Sequence, residues 1–242
     1  MERCDRGMSP KQIRQQRLLE AAASLIRTSG GTEFSMLALA EAAGMSPATP
    51  YNLLGSKVGV LWALLNYSLD KIQDKLSLLR APNDPFERVV LAAALGAELF
   101  TAESDFYRPL YRFLVGCGDP VHRPQFMDRA LAFWMHATEL LNQRGYLQAP
   151  IDQVEMSREL EIHFLGVLDL WVQHELDDDE FQAQIVFGTA LLLLAVADEA
   201  GRTRLMKHLQ KAKRKLPRGF TFTGVSARSA ASQSSKTPAS VA

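Results

Sequence analysis

Apolar residues recur three and four positions apart along most of this chain, and almost nowhere two apart. Leu18, Ala22, Leu25 and Ile26 share one helical face, and Met156, Leu160, Phe164, Val167, Leu168 and Trp171 share another. That spacing marks amphipathic helices, whereas alternating β-branched runs and Asn-Gly or Asp-Gly hairpins are missing. Stripes of this kind are buried helix against helix, so the pattern predicts an all-α protein.

Capping residues and glycines divide the pattern. Gly30-Gly31 ends the first helix, and Ser35 and Gly44 frame a short second one. A long helix is expected from Ser56 toward Leu79. Asp84, Pro85 and Glu87 then have the order of a capping box, opening a helix to about Phe100. An aromatic helix from Phe106 to Val115 stops at Gly116, and another runs from Phe126 to Gly145. Acidic residues from Glu175 to Glu180 suit a helix start, where the macrodipole favours negative charge. That helix is expected to hold the uncharged run Ile185 to Ala197, 13 residues long. A membrane span needs about 20, so a buried helix is the better reading. Eight lysines and arginines and no acid lie between Arg202 and Arg218, and the Ser-, Ala- and Thr-rich residues 219–242 read as a disordered tail.

With 27 basic and 27 acidic residues the formal net charge is zero, so any nucleic-acid surface must be local. Two cysteines, Cys4 and Cys117, form no CxxC and fit a reducing cytoplasm. The opening residues MERCDRGMSP lack the apolar core of a secretory signal. No HExxH, Glu-x-x-His or Gly-x-Ser-x-Gly motif occurs, and the five histidines are scattered. Neither catalysis, a metal nor a cofactor is expected.

One stretch carries the function. A helix to Arg27, a short helix from Met36 to Ala43, a turn at Gly44-Met45 and the segment MSPATPYNLLGSK together describe a helix-turn-helix. Ser46 is expected to cap the second helix of the pair, with Pro47 in its first position and Pro50 making the first turn irregular. Gly55-Ser56-Lys57 is not a phosphate loop, because it lies between helices and in the wrong order. Lys57 instead opens a long helix, a position suited to one DNA phosphate.

Residues 34–65, FSMLALAEAAGMSPATPYNLLGSKVGVLWALL, resemble the DNA-binding domain of the TetR family of transcriptional regulators. The resemblance extends through RQQRLLEAAASLIRTSG, residues 14–30. Its markers are Leu39-Ala40, the Ala43-Gly44-Met45-Ser46 turn, Thr49, Tyr51 and Ser56-Lys57. It implies a three-helix DNA-binding domain over residues 1–55 and a larger helical effector-binding and dimerisation domain over 56–218. By the same resemblance Ser35, Thr49, Tyr51 and Lys57 would hold phosphates, while Ser46, Ala48 and Asn52 would face base edges. Singly, the serines read as caps and Tyr51 as an anchor; in this spacing they read as a DNA surface. Arg3, Arg6, Lys11, Arg14 and Arg17 could add a basic arm or be a solvated face.

The resemblance further implies a homodimer on a palindromic double-stranded operator, released by a small-molecule effector, with no membrane partner. Trp62, Tyr107, Tyr111, Trp134 and His136 are the candidate effector contacts, and few charges among the body's aromatics imply a largely apolar effector. The helices Met156–Trp171 and Ile185–Ala197 are the expected dimer seam. The rival reading is a helical effector-binding or interaction protein with a degenerate DNA surface, motivated by apolar Leu37, Leu53 and Leu54.

Overall fold

The computed structural model describes residues 9–78 and 83–216. They form ten α-helices, and among the described residues no strand exceeds an isolated bridge between Gln148 and Ile151. The all-α expectation holds. Helix α1 (Pro10–Ser29) opens on a reciprocal cap in which Ser9 Oγ accepts from the Gln12 amide at 3.3 Å and Gln12 Oε1 accepts from the Ser9 amide at 2.7 Å. It closes on Gly30, whose left-handed φ of 68° only glycine adopts freely. Helix α2 (Met36–Ala42) and helix α3 (Thr49–Leu54) pack on α1 and on each other.

Helix α4 (Lys57–Leu78) joins this trio to the rest, touching α1 and α3 on one side and α5 (Pro85–Ala102), α6 (Ser104–Val115) and α7 (His122–Gln143) on the other. Helix α7 packs on α8 (Gln153–Val172). Helix α9 (Asp178–Leu193) lies against α5, α8 and α10 (Glu199–Lys213). The core is continuous, from Leu18, Ile26 and Leu39 through Leu61 and Leu65 to Phe86 and Trp171. Helices α8 and α9 approach closely because Gly188 has no side chain. A Cβ there would stand 2.1 to 2.8 Å from three ring atoms of His163.

Two sequence expectations need correction. Asp84 does cap α5, accepting from the amides of Phe86 and Glu87 at 3.0 Å. The Glu87 carboxylate, however, does not complete a capping box, because His208 of α10 engages it at 2.9 Å. The apolar run from Ile185 to Ala197 is also not one helix. After Leu193 the amides of Ala195 and Val196 bond back three residues, and Asp198 then caps α10 through the Gly201 amide at 2.7 Å. No glycine or proline marks this break, after which α10 folds back onto α9. The basic stretch thereby becomes a surface helix whose Arg204 pairs with Asp84 and whose following turn places Lys215 on Asp179. Arg3, Arg6, Cys4, Arg218 and the expected tail at 219–242 lie outside the described residues. Among those described, no helix is long and apolar enough to cross a membrane.

Candidate nucleic-acid interface and effector cavity

Ser35 caps α2, its Oγ accepting from the Ala38 amide at 3.1 Å. Met36, Leu39 and Ala40 point into the core, while Leu37 on the outer face is 54% exposed. The turn after α2 depends on Gly44, with φ 63°, and on the Met45 amide reaching Ala40 O at 2.9 Å. Arg17 of α1 donates to Ala43 O at 3.0 Å, placing a cation where the last carbonyls of α2 gather. The sequence offered Arg17 only as part of a basic arm. Its role at the turn depends on how α1 docks, which no local pattern encodes.

Helix α3 begins later than expected. A helix starting at Pro47 would need residue 50 to donate to Ser46 O, and Pro50 has no N–H. The Thr49 amide takes that carbonyl instead, at 3.0 Å, and the first regular bond runs from the Asn52 amide to Ala48 O at 3.1 Å. Ser46 therefore caps no backbone amide; its Oγ sits 2.8 Å from Thr49 Oγ1. Pro50 is buried, and Leu53 and Leu54 are half-buried against the core. Ser46, Ala48 and Asn52 are exposed, Tyr51 is 55% exposed, and Thr49 is half-buried. The proline thus anchors the short helix and turns its polar residues to solvent.

Ser35 lies exposed at the start of α2, and Lys57 is the first residue of α4. The elbow between α3 and α4 is tight. Gly55 takes φ 73°, and a Cβ on Gly59 would lie 2.2 Å from Leu54 O. Ser56 Oγ caps α4 through the Gly59 amide at 3.1 Å. Lys57 is half-buried, its Nζ 5.1 Å from the Phe34 ring centre and 5.8 Å from that of Phe113. One contact belongs to the helix-turn-helix and the other to α6. A second tie joins α1 to α6: Arg27 Nε donates to Glu103 Oε2 at 2.9 Å, and its guanidinium covers the Phe106 ring at 4.9 Å.

Helix α6 also reaches the interior of the body. A cavity of about 60 Å³ lies among α4, α5, α6, α7 and α8, walled by Phe100, Phe126, Phe133, Trp134 and Phe164. Of the expected effector contacts, Tyr111 and Trp134 line it. Tyr107 stops one residue short: its hydroxyl donates to Ser68 Oγ at 2.9 Å, and Ser68 lines the cavity. Burial pushes the phenols of Tyr107 and Tyr111 up to about 12, so both stay protonated. Trp62 packs behind the wall, 5.6 Å from Phe126. His136 is exposed on the outer side of α7, 3.1 Å from Arg88 and 3.5 Å from Glu139, and does not line the cavity. His136 pairs an apolar ring with a polar tip, as an effector contact needs, but it stands on the solvent-facing side of α7.

The residue missed by sequence reading is Glu161. It lies on the cavity wall, 5% exposed, with Oε1 buried and without a hydrogen-bond partner among the described residues. Burial, and then the Asp128 carboxylate on α7, push its carboxyl from the ordinary 4.5 up to about 7. A signal was available: Glu161 falls four residues after Ser157 and three before Phe164, on the stripe of α8 that otherwise turns inward. Among the described residues no cluster of His, Cys, Asp or Glu could hold a metal ion.

No protein-family model matches the chain. Over 101 residues it is 32% identical to the HTH-type transcriptional regulator BetI of Rhizobium meliloti (strain 1021). That match covers 40% of this chain, which spans about half (49%) of the length of the curated relative. Three solved structures share the fold. A TetR-family regulator from Mesorhizobium loti superposes with a TM-score of 0.59 at 17% identity, covering 78% of this chain and 98% of the other. One from Rhodococcus sp. gives 0.56 at 19%, covering 75% and 99%. One from Streptomyces coelicolor gives 0.54 at 18%, covering 94% and 100%.

Proposed function

We propose that this chain, whose fold is that of TetR-family transcriptional regulators, is a DNA-binding regulator acting in the cytoplasm. It is a repressor that leaves a palindromic operator when a small, largely apolar effector binds. The observation that carries this reading is the outer face of the α2–α3 pair. Ser46, Ala48, Tyr51 and Asn52 are exposed together while Pro50 holds their helix to the core. A tyrosine more than half exposed on a two-turn helix gains nothing from burial there, but its hydroxyl suits a phosphate. Asn52 can pair bidentately with adenine, and the Ala48 methyl can pack on a thymine methyl. Residues 1–55 form the reading domain and 56–218 the domain that binds effector and a second subunit.

One such pair covers only a half-site, so specificity needs a homodimer. Its seam is the outward side of α8 and α9, where Ile162 and Leu191 are each 54% exposed and Leu170, Phe187 and Leu194 are only partly covered. Helix α6 supplies the coupling. It carries Tyr107 and Tyr111 toward the cavity and reaches the reading domain through Glu103 on Arg27 and through Phe113 on Lys57, which in turn lies over Phe34. A ligand that moves α6 changes the spacing of the two α3 helices, and a duplex with fixed half-sites cannot follow. About 1–3 kcal/mol of coupling suffices for a useful switch.

Mobility-shift titration of the wild-type protein on DNA flanking its own gene tests the reading. Sequence-specific, salt-dependent retardation is the expected result. Binding that is equal on all sequences and insensitive to Asn52→Ala would overturn it. The second reading, an effector-binding protein with a degenerate DNA surface, draws on the exposed Leu37. It predicts no retardation at physiological salt, together with ligand binding in the cavity.

A further inference from the structure

We propose that the inner cavity is built to recognise a compact apolar amine, whose ammonium group binds Glu161 Oε1. The inference deepens the effector reading above and rests on it only for the claim that cavity ligands control DNA binding.

The wall supplies the chemistry. Six aromatic side chains line the cavity, namely Phe100, Tyr111, Phe126, Phe133, Trp134 and Phe164, with aliphatic groups between them. A purely apolar ligand would be served by that lining alone, and a buried carboxylic acid would then be a pure liability, because its polar atoms lose their water. Glu161 is nonetheless there. Of the two hydroxyls on the wall, Tyr111 and Ser68, the second is already committed: it accepts from Tyr107 and donates to Leu64 O at 3.0 Å. Glu161 Oε1 has made no such commitment. A buried oxygen acceptor calls for a donor, and the donor must come from the ligand.

Charge narrows the donor to a cation. Asp128 on α7 adds a second negative charge close enough to push Glu161 further up. The groups facing Tyr111 beside it are Arg123 of α7 and Asp169 of α8. The carboxyl itself thus feels net negative surroundings, which repel an anionic ligand and reward an ammonium. Aromatic faces add a cation–π attraction that neutral donors lack. The cavity's 60 Å³ limits the size. It holds a few water-sized volumes of about 10–15 Å³ each, so the ligand carries one small ring or a short alkyl chain and moves the wall as it enters. No covalent step is involved. The ammonium meets the ionised carboxylate, and whatever proton Glu161 held at that pH passes to solvent.

The test uses the full-length protein and two probes of the same shape, benzylamine and benzyl alcohol, titrated by calorimetry at pH 7. Wild type is expected to bind the amine at least about tenfold more tightly than the alcohol. In buffers of different ionisation enthalpy the amine, and not the alcohol, should release protons on binding. Glu161→Gln, nearly isosteric and neutral, should keep the alcohol and lose the preference; Glu161→Leu is the second variant, with thermal melting checking both. Equal affinities in wild type, a preference that survives Glu161→Gln, or no binding of either probe would each overturn the proposal, and the wild-type comparison decides even if neither variant folds. Failure of the broader reading looks different. If the amine binds through Glu161 yet leaves the operator complex intact, the inference stands and the effector role falls. If the alcohol binds as tightly and releases DNA, the effector role stands and the inference falls.

Discussion

Lys57 of α4 and Phe113 of α6 meet across the junction between the helix-turn-helix and the body, with Nζ 5.8 Å from the ring centre. Lys57 is also a proposed phosphate contact, which would put one cation between DNA and the helix that reaches the cavity. Lys57→Ala should weaken binding to all sequences alike and flatten the salt dependence by about one unit. Phe113→Leu should leave that slope unchanged, because the charge stays, while losing about 0.5–1 kcal/mol of cation–π contact. Its expected phenotype is a weaker response of DNA affinity to effector, read by shift titration with and without ligand. An unaltered response in Phe113→Leu would remove Lys57–Phe113 from the coupling route.

Base readout and phosphate anchoring should separate by mutation. Asn52→Ala is expected to relax preference at one operator position by about 1–3 kcal/mol. Tyr51→Phe should weaken every operator variant equally. A panel of single-base variants measured with each protein distinguishes them, and unchanged relative affinities for Asn52→Ala would show that Asn52 reads no base.

The proposed subunit seam makes a prediction that burial sharpens. Ile162→Asp or Leu191→Asp places a charge on an exposed apolar position and should give folded monomers with little operator affinity. Val167 is only 6% exposed within one subunit, so Val167→Asp should unfold the chain rather than split a dimer. Sedimentation and thermal melting read the two outcomes apart. A wild-type protein that sediments as a monomer at micromolar concentration while binding operator tightly would contradict the seam.

Glu161 should make stability depend on pH in an unusual direction. Its folded value is raised from 4.5 to about 7, so between those values the folded state holds a proton that the unfolded state has released. Stability then falls as pH rises through that window, by up to about 3 kcal/mol. Glu161→Gln removes the ionisation and should be more stable than wild type at pH 8 and similar at pH 4. Denaturant melts across the range check this; parallel curves for the two proteins would mean that Glu161 titrates normally.

Gly59 tests the elbow that aims α3. A Cβ there would stand 2.2 Å from the Leu54 carbonyl oxygen, which is backbone and cannot rotate aside. Gly59→Ala should therefore shift α3 relative to α4 and cost about 1–3 kcal/mol, typical of overpacking. Operator affinity should fall by more than the lost stability explains. Normal affinity together with an unchanged melting temperature would mean that the elbow yields freely.

The helices themselves were legible in one dimension, because their determinants are local. Three-to-four spacing, Ser35 before α2, Asp84-Pro85 before α5 and glycines at 30 and 44 act within a turn or two of where they stand. The start of α3 was misplaced even so: Ser46 and Pro47 read locally as cap and first position, yet Pro50, with no N–H for the Ser46 carbonyl, moves the start to Thr49. What no local rule contains is who meets whom across the chain. Glu87 had two possible partners, its own helix start or His208 placed 121 residues later, and only packing of α10 on α5 chose the second. His136 and Trp134 are two residues apart on one helix, yet one faces solvent and the other the cavity, because neighbouring helices cover one face of α7 only. Glu161 is an acid on an apolar stripe in the sequence, and becomes a buried, unpaired acceptor only once α7 and α8 close over it. Hydrogen bonds within a turn are specified by neighbours in sequence; burial is specified by neighbours in space, and these exist only after the chain has folded.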